Sequence, residues 1–194
     1  MDTPRYHTLH RVIHWTMALI IISLFAVGLY MTGMERENPL RGTLYGLHKS
    51  FGVLILFLVV LRIITRLATK IPAMPKFAKW ENALAHIVHF ALYCLMAAVP
   101  LAGIWMSNSW GHGVSFFGVE LPRLFAENKE IGPLASEIHE ILAFVIIGIA
   151  SLHIIGALKH RYIDKHDIIY RMGFGRIPAN AAKAGEDMRD NPES

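Results

Sequence analysis

The side chains with chemistry to offer are imidazoles. The chain carries 11 histidines, and His14, His48, His86, His89, His139, His153 and His160 fall inside long apolar runs. A polar group in hydrocarbon is costly and commonly functional. The plain alternative is a hydrogen-bonded packing residue. Spacing shifts the balance. His139 and His153 lie 14 residues apart, which at 100° per residue falls about 40° short of four turns, so both leave one face of a helix about 21 Å apart. That is too far for one shared metal ion and suits two sites stacked one above the other.

Each site needs a partner from another helix, and depth supplies it. His48 and His139 both begin helices that start on one side of the membrane. His14 begins the first helix on the opposite side, and His153 lies deep in the last helix toward that same side. Two bis-histidine pairs follow, His48 with His139 and His14 with His153. Zinc favours a tetrahedral set of three or four protein ligands. Paired imidazoles with no carboxylate at either level instead suit haem b, with the four histidines as axial iron ligands. Thioether attachment is excluded, because the chain has one cysteine, Cys94, and no Cys-x-x-Cys-His. The same count excludes an internal disulfide or a thiolate cluster, and Cys94 reads as a small buried apolar residue.

The elements that position these residues are membrane helices. The chain has 194 residues, 54% hydrophobic and 18% charged, with mean hydropathy +0.39, more apolar than a soluble domain of this size. No Asp, Glu, Lys or Arg occurs in the 23 residues between Arg11 and Glu35 or the 18 between Glu140 and Lys159, and none between Glu81 and Glu120. A fourth span accepts His48, Lys49 and Arg62 within it. About 20 apolar residues cross a bilayer as a helix, so helices are predicted near 11–34, 44–67, 82–106 and 136–160. This is an all-α membrane protein, a bundle of four transmembrane helices enclosing two b haems. Residues 1–173 form the domain, and 174–194 read as a disordered cytoplasmic tail. The first span is too long for a signal-peptide core and lacks a cleavage site. Pro72 and Pro75 mark a turn, Pro100 kinks the third helix, Asn108 and the glycines after it end that helix near Met106, and about 28 residues of loop precede the fourth.

Charge sets the orientation. The N-terminus, the second connection and the C-terminal tail carry 14 Lys and Arg against 5 on the other side. The positive-inside rule then places both termini in the cytoplasm. The net charge of +4 thus calls for no nucleic acid. Trp15 and Trp80 fall at the inner interface with lipid, and Trp105 and Trp110 at the outer one.

Several stretches carry a resemblance: "HRVIHW" at 10–15, "LHKSFGVLILFLVVLRIITR" at 47–66, "AHIVHFALY" at 85–93, "EIHE" at 137–140 and "SLHIIGALKHRYIDKHD" at 151–167. Over about residues 8–173 the chain resembles the bacterial cytochrome b561 family, akin to the cytochrome b subunits of nickel hydrogenases and formate dehydrogenases. The resemblance implies a multi-pass protein of the bacterial inner membrane with two b haems on His14, His48, His139 and His153. It implies electron transfer between a periplasmic donor, superoxide in one branch, and a ubiquinone-type quinone at the cytoplasmic side. It also places a quinone contact on His160, where an imidazole suits proton donation.

An enzyme of this kind would be a superoxide:quinone oxidoreductase. The alternatives are a membrane anchor relaying electrons for a partner dehydrogenase or periplasmic redox protein, and a histidine-lined transporter. Lys49, next to His48, is a candidate for attracting an anion at the outer level. Arg62 shares the face of His48 at the inner level, and either pairs with a haem propionate or snorkels. His86 and His89, near the inner side of the third helix, hydrogen-bond a propionate, line the quinone site or simply pack. His10, one turn before His14, stands outside the apolar run. Gly28, Gly52, Gly103, Gly148 and Gly156 allow close approach of helices or macrocycle.

Overall fold

A computed structural model describes residues 5–69, 77–165 and 168–174. Four long helices make up nearly all of it: α1 (Thr8–Thr32), α2 (Leu40–Ala68), α3 (Lys79–Ser109) and α4 (Gly132–Tyr162). Each is long and apolar enough to cross a bilayer. The turn at Pro72 and Pro75, His166 and the tail from 175 onward lie outside the described residues.

The helices extend beyond their sequence-based bounds for local reasons, except that α1 ends at Thr32, two residues short of the expected 34. α4 begins at Gly132 because Pro133 sits at its first turn, where the missing N–H costs nothing. α3 runs to Ser109, past Asn108. Asn108 is helical and 1% exposed, and its amide turns back to the loop instead of ending the helix. Pro100 lies inside α3 without terminating it.

α1 packs on α2, α2 on α3, and α3 on α4. α4 packs closely only on α3 among the four helices, which leaves α1 and α2 standing off from it. The midplane core joins them through side chains: Ile13 and Met17 from α1, Ile55 and Val59 from α2, Met96 from α3 and Ile146 from α4. Phe25 of α1 and Phe144 of α4 meet edge to face, centroids 5.2 Å apart. Elsewhere α4 presents Ile141, Val145, Leu152, Ile154 and Ile155 outward, as a lipid-facing helix does. Cys94 is exposed, which corrects the buried reading: its thiol sits on the outer surface of α3.

The long loop before α4 is built rather than loose. It holds a small antiparallel hairpin, β1 (Ser115–Phe116) and β2 (Val119–Glu120). Phe117 and Gly118 both have positive φ, 47° and 92°, as a two-residue hairpin turn of the favoured twist requires. Ser50 ties the hairpin to α2, donating to the Ser115 carbonyl at 3.0 Å and accepting from the Phe117 N–H at 3.1 Å. Asn108 pins the rest: its Oδ1 accepts from the N–H groups of Leu124 and Phe125, and its Nδ2 donates to His112 O.

The opposite end holds both ends of the described chain. A 3-10 turn (Ile169–Arg171) lies across the start of α1. Tyr6 N–H donates to Arg171 O, Arg11 to Gly173 O at 2.5 Å, and Trp15 Nε1 to Met172 O at 2.8 Å. Arg11 also stacks over the Phe174 ring.

Candidate functional site

At the hairpin end, His48 of α2 and His139 of α4 face one another with ring centroids 6.3 Å apart and planes at 81°. At the termini end, His14 of α1 and His153 of α4 do the same at 6.3 Å and 77°. Each pair bridges helices that do not pack closely together. The separation has a chemical meaning. An imidazole nitrogen lies about 1.1 Å from its ring centre and metal–nitrogen bonds run about 2.0–2.1 Å, so two rings on opposite sides of one metal stand about 6.3 Å apart. The donor sets therefore fit bis-imidazole ligation at both levels, and among the described residues no carboxylate bonds to any of the four rings.

The surroundings fix the rings. His139 Nδ1 donates to the Val99 carbonyl at 3.0 Å, which leaves Nε2 as the free lone pair. Gly103, one turn along α3 from Val99, is where the same ring rests: a Cβ there would stand 3.0 Å from Cε1 and 3.2 Å from Nδ1. Gly28 plays the looser counterpart for His48, its Cβ position 3.4 Å from Cε1. Gly52 meets Pro100 across the α2–α3 contact at 4.0 Å, whereas a Cβ on Gly148 or Gly156 would meet nothing. His89 lies against His153, centroids 5.0 Å apart, with Nδ1 on Ala85 O at 2.5 Å. His86 turns away, exposed and bonded to Asn82 O.

Arg62 points inward. Its Nε donates to Tyr93 Oη at 3.1 Å, its guanidinium lies over the Tyr93 ring, and one terminal nitrogen is buried with no hydrogen-bond partner among the described residues. A snorkelling arginine would have carried that nitrogen to water. His10 was missed by reasoning from the apolar run. It is 2% exposed, stacked on Tyr6 and 3.4 Å from Thr65 Oγ1, because α1 starts at Thr8 and takes it into the bundle. The only signal was its four-residue spacing from His14. Lys49 donates to Gly113 O at 3.1 Å, so it holds the loop beside the hairpin-end pair.

His160 stands near the termini end of α4 in a polar cluster. Nδ1 meets Asp164 Oδ2 at 2.7 Å, and the Phe77 ring lies tilted against the imidazole, centroids 4.2 Å apart. Lys159 bonds the same Asp164 oxygen at 2.9 Å and also Glu81 at the start of α3. The Lys159 hydrogen bond holds the Asp164 carboxyl below its ordinary value, and the one from His160 acts in the same direction.

Similarity to known proteins bears on the whole arrangement. The sequence model of the prokaryotic cytochrome b561 family matches residues 5–175. Cytochrome b561 homolog 2 of Escherichia coli K12 is 31% identical over 174 residues, 88% of this chain and 93% of that one. A probable superoxide oxidase, CybB, of Yersinia pestis is 28% identical, covering 87% of this chain and 95% of its own. Cytochrome b561 homolog 1 of E. coli K12 is 28% identical, covering 82% and 92%.

Proposed function

Since this chain belongs to the prokaryotic cytochrome b561 family, and is thereby a multi-pass membrane electron-transfer protein with b-type haem, we propose that it carries two haems. Electrons then pass between a donor at the hairpin end and a quinone at the termini end. The transporter reading falls with family membership. The observation that carries the proposal is the recurrence of one ring separation, 6.3 Å, at two depths.

In this reading His48 and His139 would hold one haem iron and His14 and His153 the other. A bound b haem supplies a one-electron iron centre, and two of them about 21 Å of helix apart span most of the bilayer core. The protein's own part is positional. Val99 and Gly103 set the His139 ring, and Gly28 limits the approach of α1 to His48. Arg62, with its unpartnered buried nitrogen, would pair with a propionate. The charge asymmetry supports an orientation in a bacterial inner membrane with the termini end in the cytoplasm and the hairpin end in the periplasm. The donor class is superoxide or a small periplasmic redox partner, supported by the name of the Yersinia relative; activity without a partner subunit would make the chain a superoxide:quinone oxidoreductase. Lys49 beside His48 is the cation an anionic donor would meet. His160 is the proton donor to a ubiquinone-type acceptor. A dehydrogenase partner in place of superoxide would leave the haem sites the same and abolish turnover by the isolated chain.

The test is a dithionite-reduced minus oxidised spectrum with the haem-to-protein ratio. Two haems per chain are expected, with one lost on His48→Ala or His139→Ala and the other on His14→Ala or His153→Ala. A ratio of one, or retention of both haems in any of these variants, overturns the assignment.

A further inference from the structure

Resting on the reading of His160 as the quinone's proton donor, we propose that Asp164 is the positioning residue for that step, held in place by Lys159 and, through it, Glu81. A carboxylate can only accept, so the 2.7 Å contact to Asp164 Oδ2 makes His160 Nδ1 the donor there. Nε2 is left as the nitrogen that meets the substrate. Phe77, whose ring lies 4.2 Å away and tilted by 36°, crowds the imidazole from one side. Asp164 sits just beyond the end of α4 on a tight turn, its N–H on Lys159 O at 3.2 Å. Lys159 ties its carboxylate to Glu81 at the start of α3. The site is thus braced across two helices.

The step balances simply. A quinone takes two electrons, supplied one at a time from the donor at the hairpin end, and two protons. His160 supplies one of them: the Nε2–H bond breaks, an O–H bond forms on a quinone oxygen, and the nitrogen lone pair is re-protonated from water. Asp164 keeps Nδ1–H throughout and stays ionised.

Asp164→Asn, which keeps shape and removes the charge, is the test in the full-length, haem-loaded protein. The expected result is a kcat for ubiquinone analogue reduction lowered about tenfold, the scale of a weakened general acid, with KM within about twofold. Electron delivery to ferricyanide, which takes no proton, should be unchanged, and the solvent deuterium effect on quinone reduction should rise. Asp164→Glu should recover most of the rate. His160→Ala and the double variant should be equally slow, because coupled residues do not add.

Wild-type kcat in Asp164→Asn, with His160→Ala slow, overturns the role of Asp164 alone. Wild-type quinone reduction in His160→Ala overturns the reading beneath it. Equal slowing of the ferricyanide and quinone reactions would mean a purely structural role and also overturns the proposal. Should Asp164→Asn lose haem, Asp164→Glu decides: a rate as low as that of His160→Ala overturns it.

Discussion

Gly103 and Gly28 face the two hairpin-end histidines at different clearances, and the difference is usable. A methyl group on Gly103 would press on the His139 ring at 3.0 Å, while one on Gly28 would touch His48 at an ordinary 3.4 Å. Alanine also gains up to about 1 kcal/mol of helix propensity over glycine, which is available at both sites. Gly103→Ala is therefore expected to push His139 off its Val99 hydrogen bond and lower occupancy of one haem. Gly28→Ala should keep both. The haem-to-protein ratio of the two variants, measured side by side, checks this; equal full occupancy would show that the ring has room to give. At this scale the sequence was informative about ligand candidates. Helix rise and the start of each span fix depth, and depth pairs His48 with His139 and His14 with His153. It could not show the environment of Arg62, since a guanidinium bonded to Tyr93 and one reaching water have the same position in the chain. Nor could it join Asp164 to His160: the hydrogen bond depends on how the chain turns after Tyr162.

Between helices, Asn108 is a buried anchor of the loop that precedes α4, beside Ser50 and Lys49. Asn108 serves three loop backbone groups, at His112, Leu124 and Phe125, and is 1% exposed. Removing an amide from such a position strands buried partners at about 1–3 kcal/mol. Asn108→Ala is expected to lower the thermal midpoint by several degrees and to speed proteolysis between 110 and 131. The haem proposed between His14 and His153 at the termini end should be untouched. Protease mapping and melting followed at the haem band would decide, and unchanged cleavage would count against the anchoring role. This loop was the least legible element. Two-residue strands are too short to show an alternating pattern, and the turn uses Phe117 at positive φ rather than the Asn-Gly or Asp-Gly that marks a hairpin in sequence. Asn108 read as a helix breaker because asparagine competes for backbone bonds; here it does so with a neighbouring loop and leaves its own helix intact.

Taken as a whole, the bundle has little protein-to-protein packing around α4. Only 6% of its most apolar 18-residue window is buried, and close helix contact is confined to α3. A ligand bound only by the folded form adds stability in proportion to occupancy and affinity. Chain produced under haem limitation should thus melt well below the loaded form and recover on adding hemin. Equal midpoints with and without haem would show that α1, α2 and α4 hold together without it. The number and apolarity of the helices were plain from composition and charge spacing, because a bilayer imposes length and hydropathy on any span. Which helices touch was not, since lipid-facing and cofactor-facing surfaces have the same apolar composition.

α4 supplies one member to each histidine pair, His139 and His153, and the clasp between Tyr6 and Arg171 joins the two ends of the described chain. Ribosomes make α4 after the other three helices, and α1 waits in the bilayer for a partner about 140 residues downstream. Neither histidine pair is therefore complete before α4 has entered the membrane. In the two-haem reading, the arrival of that single helix would complete both sites.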